Sequence, residues 1–274
     1  MALSAGSFFG SNGGGLENAV PGDIDLGGYE PTSRPLWVEA LFPVDWLALH
    51  LSPVYYGFGV PRGHGEPVVV VPGFLGDDRY LTELYLWLRR IGYRPYFSGI
   101  GRNVDCPEIL TQRLLLTVHQ AHQETGKDVT IVGHSLGGML ARGAAHRAPS
   151  LVKHVITMAS PFRGVQAHPL VLSVANFVRS NIVGERKRRR EVTSKCFTPQ
   201  CSCEFVATMR DEQQPHGFDR DAIYSKCDGV VDWRVCMEDE PELNHEVTAT
   251  HIGMAFNPDV YRKLGNLLAG IAEA

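Results

Sequence analysis

Val129-Thr130-Ile131-Val132-Gly133-His134-Ser135-Leu136-Gly137-Gly138 is the stretch from which the rest of the chain can be read. Its first four residues, three of them aliphatic, suit a strand buried on both faces of a parallel sheet. The next five fit G-x-S-x-G, and an amphipathic helix, Leu136 to Arg147, follows at once. A strand that turns straight into a helix pushes the serine hydroxyl out of the sheet edge. Gly133 and Gly137 leave room for the crowded backbone on either side. The helix aims its N-terminus at the hydroxyl, which favours negative charge developing there. Five residues alone are a weak pattern; their place between strand and helix makes Ser135 a candidate nucleophile.

Working outward, the same alternation recurs. Val68 to Val71 is a continuous β-branched run, followed by the turn Pro72-Gly73-Phe74-Leu75-Gly76. Asp78 is placed to cap a helix from Arg79 to Ile91, with Leu81, Leu84, Tyr85 and Leu88 on one face. Tyr93 to Ser98 reads as a strand, Ile109 to Glu124 as a helix and Val152 to Met158 as a strand. The pattern breaks at 164–221 and resumes with strands at Ala222 to Cys227 and about Glu242 to Val247. A helix over Pro258 to Ala272 closes the chain. Strands alternating with helices predict an α/β fold, a mostly parallel sheet with helices on both faces. The irregular 164–221 is an inserted cap, and 1–66 is an N-terminal extension to a domain at 67–274.

A nucleophilic serine needs a general base, and the base an orienting acid, here in the chain order Ser, acid, His. Asp228 follows the strand ending at Cys227 and precedes a Gly turn, at the sheet's active edge. Asp232 is the nearest rival, and Asp221 lies at the wrong end of the strand. His251 lies in a loop after the last strand, whereas its competitor His245 falls inside that strand. The oxyanion hole requires two backbone N–H groups. Leu136 N–H is one; Phe74 N–H is the other, with Leu75 as the fallback. Removing one such donor costs about 3 kcal/mol of transition-state stabilisation. Phe74, Leu75 and His134, beside the nucleophile, are the candidate substrate-binding residues.

With these pieces in place the chain resembles an α/β-hydrolase, specifically a lipase- or esterase-like member. The resemblance rests on Val-Val-Val-Val-Pro-Gly-Phe at 68–74, Gly-His-Ser-Leu-Gly-Gly at 133–138, Ala-Ser-Pro-Phe-Arg-Gly at 159–164, Asp-Gly-Val-Val at 228–231 and Thr-His-Ile-Gly-Met at 250–254. It covers roughly 67–272, is strong across the core and is weak in the cap. It implies Ser135 as nucleophile, Asp228 as acid and His251 as base, with no cofactor and an ester or lipid substrate. Relatives that act on epoxides or haloalkanes carry Asp at the elbow, so Ser here implies acyl chemistry. An acyltransferase with the same triad, or a binding protein on this fold, is the alternative.

Composition narrows the remaining classes. The chain has 274 residues, 44% of them hydrophobic and 20% charged, which is ordinary for one domain with something added. A net charge of −4 argues against nucleic acid as partner. Eleven histidines are scattered without metal-ligand spacing. No basic-then-apolar leader and no run of about 18 apolar residues is visible, so the expected location is the cytoplasm, without a membrane span.

The Gly-rich 1–34 reads as a weakly ordered arm. Pro35 to Val60 is strongly apolar, with Pro43 expected to split it into two short helices. It is expected to pack on the domain, with interfacial membrane contact as the second reading. In the cap, Leu170, Val171, Leu172, Val174, Phe177 and Val178 form an apolar helix face over the site, upstream of five consecutive basic residues, Arg186–Arg190. That pairing suits a lid meeting a lipid surface, and equally a lid that packs shut. Cys196, Cys201 and Cys203 lack a usual zinc spacing. A disulfide from Cys201 or Cys203 to Cys236 would hold the acid loop, with Cys106 a lone thiol.

Overall fold

The computed structural model describes residues 35–164, 167–187, 201–210 and 217–270, without the side chains of 182–187 and 210. The arm at 1–34, the basic run beyond Lys187 and Cys196 lie outside these residues.

The β-branched run does what its composition dictates. β1, Pro67–Val71, is buried along its whole length. Val68 and Val70 pack on one face of the sheet with Trp87, Ile91 and Tyr261. Val69 and Val71 pack on the other with Leu110, Leu114 and Leu140. β2 (Arg94–Phe97), β3 (Val129–His134), β4 (Val152–Met158), β5 (Asp219–Ser225) and β6 (Asn244–Val247) complete a six-stranded sheet in the order β2-β1-β3-β4-β5-β6. Every pairing is parallel. The α-helices are α1 (Phe42–Leu51), α2 (Thr82–Arg90), α3 (Pro107–Thr125), α4 (Leu136–Arg147), α5 (Pro169–Lys187), α6 (Glu204–Arg210) and α7 (Pro258–Leu268). No described helix is long and apolar enough to cross a membrane.

Several boundaries differ from the sequence reading. Asp77, not Asp78, caps the entry to α2, accepting Arg79 N–H at 3.0 Å. Asp78 is drawn instead to Ser98 and Gly99, whose N–H groups lie at 3.0 and 3.2 Å. A 3-10 turn over Asp78–Leu81 precedes α2. β5 starts at Asp219, before the expected Ala222, because its first residues pair with His154 to Ile156 of β4. The region 164–221 therefore yields its end to the sheet, and its described residues include two helices, α5 and α6.

Pro35 to Leu51 is a strap of a 3-10 turn, Leu36–Leu41, running into α1, with Pro43 tolerated in the first turn. The strap is inverted. Asp45 reaches inward to Asn257 Nδ2 at 2.8 Å, and Leu49 is buried. Trp37, Val44 and Leu51 are at least 64% exposed.

Candidate active site

Ser135 caps α4 at the end of β3 with φ 54° and ψ −127°, a backbone region that costs a non-glycine residue strain. The packing around it explains the flanking glycines. A Cβ on Gly133 would lie 2.5 Å from Gly138 Cα, and one on Gly137 would lie 2.4 Å from the Val71 carbonyl oxygen. The elbow is thus wedged against the end of β1.

Asp228 and His251 come to this elbow from loops after β5 and β6. His251 Nε2 is 3.0 Å from Ser135 Oγ, and His251 Nδ1 is 2.6 Å from Asp228 Oδ2. The other Asp228 oxygen accepts the N–H groups of Val230 and Val231 at 2.7 and 2.8 Å. All three side chains are buried. Burial pulls the His251 imidazole down, but Asp228, and behind it Glu39, outweigh burial and hold it above its ordinary value.

The rival residues are used elsewhere. Asp221 accepts from His245 and His154 at 2.6 and 2.7 Å, so the alternative acid and base pair with each other away from the elbow. Asp232 caps the turn Trp233–Cys236 and pairs with Arg234.

The loop after β1 supplies the other wall. Leu75 N–H is taken by the Asn103 carbonyl at 3.0 Å, which leaves Phe74 N–H as this loop's candidate oxyanion donor. Phe74 and Leu136 both line a cavity of about 230 Å³ that opens beside Ser135. Its other walls include Met139 of α4, Leu172 of α5, and Phe205 and Val206 of α6. Leu75 is 41% exposed and is not among the lining residues.

His134 stands one layer behind the cavity wall. Its Nε2 lies 2.9 Å from the His251 carbonyl oxygen, and its ring centre 4.9 Å from that of His251. Burial, with His251 beside it, pushes its pKa down to about 3, so it stays neutral and donates to the His251 carbonyl.

Two residues escaped the sequence reading. Buried Asn103 holds the loop after β1, donating from Nδ2 to the Pro72 carbonyl at 2.8 Å and from its N–H to Gly76 O at 2.8 Å. Glu39, in the strap, accepts three backbone N–H groups from the loops that carry Asp228 and His251. Its charge, one of few in a strongly apolar segment that also holds Asp45 and His50, was the available sign of it.

The described cysteines, Cys106, Cys201, Cys203, Cys227 and Cys236, are all free. The expected bridge to Cys236 is not formed. Cys236 is buried with its thiol toward the Asp232 carbonyl, whereas Cys201 and Cys203 line the cavity together with Cys106. Cys106 is therefore not isolated.

A parallel sheet in this order, with a strained serine elbow joined to an Asp-His pair at its C-terminal edge, defines an α/β-hydrolase. The chain belongs to the palmitoyl protein thioesterase family, whose model matches residues 67–213. It is similar to triacylglycerol lipases of Burkholderia plantarii (29% identical, covering 50% of this chain and 42% of that one) and Pseudarthrobacter phenanthrenivorans (32% identical, 39% and 37%). The chain thus spans only about two fifths of the length of these curated relatives. Among solved structures, a mature Bacillus licheniformis lipase superposes with a TM-score of 0.53 at 17% identity, over 77% of this chain and 94% of that one. A structure described with two metagenome-derived lipolytic enzymes gives 0.51 at 16% identity, over 77% and 95%. At these identities the likeness is one of fold.

Proposed function

We propose that the protein hydrolyses carboxylic esters through an acyl-enzyme on Ser135. The observation that carries this reading is the continuous contact from Ser135 Oγ through His251 to Asp228, set beside an apolar cavity. Ser135 Oγ attacks the ester carbonyl while His251 Nε2 takes its proton. Phe74 and Leu136 N–H groups hold the oxyanion. The leaving alcohol departs with the proton from His251. Water, activated by the same imidazole, then adds to the acyl-enzyme and releases the acid. The triacylglycerol-lipase relatives support an ester substrate with an apolar acyl group.

A chain-length series of p-nitrophenyl esters tests this, run beside an acyl thioester because the family is described by thioester cleavage. Turnover that rises from acetyl to medium chains is the expected result. A maximum at acetyl would contradict an apolar acyl site. Product that forms only with an added alcohol or thiol would point to acyl transfer.

The pH profile has a definite sign. His251 acts as base only when neutral, and its carboxylate neighbours hold its pKa above the usual value of about 6.5. The acid limb of kcat/KM is therefore expected above that value, with activity lost as pH falls through it. A profile flat from pH 8 to pH 5 would contradict the assignment.

The cap and strap meet a lipid surface. Leu170 and Phe177 of α5 are 61% and 68% exposed, and the basic stretch Arg186–Arg190 follows them in sequence. His168 N–H bonds Val230 O at 2.7 Å, and a Cβ on Gly229 would lie 3.1 Å from Pro35 O. The starts of both segments thus abut the acid loop. Sedimentation with phosphatidylcholine vesicles, with and without phosphatidylserine, reads this directly. Binding should rise with anionic lipid and fall at least about threefold in Phe177→Asp, through lost apolar burial. Equal recovery in all samples would contradict it.

A further inference from the structure

Glu39 lies outside the family-matched region, in the 3-10 turn Leu36–Leu41, and is 5% exposed. Its Oε1 accepts Gly229 N–H at 2.9 Å and His251 N–H at 3.0 Å; its Oε2 accepts Ile252 N–H at 2.8 Å. Gly229 directly follows the catalytic acid, and His251 is the base. One carboxylate thus ties together the two loops whose relative position sets the Asp228–His251 contact. No lysine or arginine among the described residues forms an ion pair with it. An ionised group is costly to bury unless hydrogen bonds replace its water, and here three backbone donors do so. The same donors would be left buried and unsatisfied without it.

The charge also has a direction. The groups facing His251 are Asp228 from the loop after β5, Ser135 and His134 from the end of β3, and Glu39 from the strap. Tyr80, from the turn before α2, reaches the next residue through the Ile252 carbonyl at 2.8 Å. Asp45 of α1 lies farther along the same loop, against Gly253 and Asn257. In the transition state His251 becomes an imidazolium, and both Asp228 and Glu39 present negative charge to it.

We infer that Glu39 is a positioning residue of the triad, clamping the acid loop to the base loop and sharing with Asp228 the stabilisation of the imidazolium. This rests on the reading of Ser135, His251 and Asp228 as a catalytic triad. The clamp lies outside the family-matched span 67–213 and makes the N-terminal strap a working part of the site.

Three variants separate the roles. Glu39→Gln removes the charge and turns one acceptor into a donor facing an N–H group. Its kcat should fall roughly 10- to 100-fold with KM nearly unchanged. Its acid limb should move to lower pH by about half a unit or more. Glu39→Asp keeps the charge but withdraws the carboxylate, so kcat should fall while the acid limb stays. Leu49→Ala loosens the same strap from the core while leaving the Glu39 carboxylate and its three backbone donors in place, and should leave the acid limb at its wild-type position. Wild-type kcat and acid limb in Glu39→Gln would overturn the proposal. So would Leu49→Ala reproducing both Glu39→Gln effects at a similar loss of Tm, because packing alone would then suffice. If Glu39→Gln yields no folded protein, Glu39→Asp decides, and an unchanged kcat there overturns the clamp. Wild type that takes no fluorophosphonate and turns over no ester would overturn the triad reading itself, and the clamp with it.

Discussion

Ser135→Ala is expected to lower kcat for a p-nitrophenyl ester about a million-fold, to the level left by the oxyanion donors and substrate binding. The size follows from the arrangement. Ser135 is the hydroxyl held at the strained elbow, 3.0 Å from His251 Nε2, so its loss leaves the base with nothing to activate except water. Removing one hydroxyl from a buried side chain leaves the glycine contacts of the elbow intact. Stability should consequently change little, and the Tm serves as the internal control. A variant retaining a tenth of wild-type turnover would mean that ester cleavage occurs elsewhere.

Asp228→Asn should cost about ten-thousand-fold in kcat. Asp228 Oδ2 receives His251 Nδ1–H at 2.6 Å, which leaves Nε2 with a free lone pair toward Ser135. Asn can retain Oδ1 as the acceptor for the Val230 and Val231 N–H groups, so the loop keeps its turn. Its amide must then donate toward Nδ1. The imidazole responds by carrying its proton on Nε2, where it faces the serine and cannot act as base. The imidazolium also loses its partner. Less than about a tenfold loss would show that the imidazole does not depend on Asp228.

Much of this was legible along the chain because it is local. The order strand, elbow, helix is written in adjacent residues, and so is the need for Gly133 and Gly137. The Ser-acid-His order and the Gly after Asp228 picked three residues scattered over more than a hundred positions. What escaped was decided by distant partners. The choice between Asp77 and Asp78 as cap turned on Ser98, twenty residues away from Asp78. β5 begins early because β4 offers it backbone partners, not because its own residues announce a strand. His134 looked like pocket wall from its place beside the nucleophile, yet its partner is the His251 carbonyl. Beyond its charge, Glu39 carries no local signature of its role. Its partners are 190 and 212 residues away, beyond any local pattern.

The strap shows the same division. Its apolar composition indicates burial, and the structure turns Asp45 and Glu39 inward while Trp37, Val44 and Leu51 stay at the surface. Polar side chains face in because the loops carrying Asp228 and His251 present N–H groups there for Glu39 and Asp45 to accept.

The most direct test of Ser135 as acyl nucleophile is the intact mass of wild-type protein after fluorophosphonate treatment, followed by peptide mapping. One adduct on Ser135 is expected, slowed as pH falls below the His251 acid limb and absent from Ser135→Ala. No adduct, or an adduct on any other residue with Ser135 unmodified, would contradict the assignment.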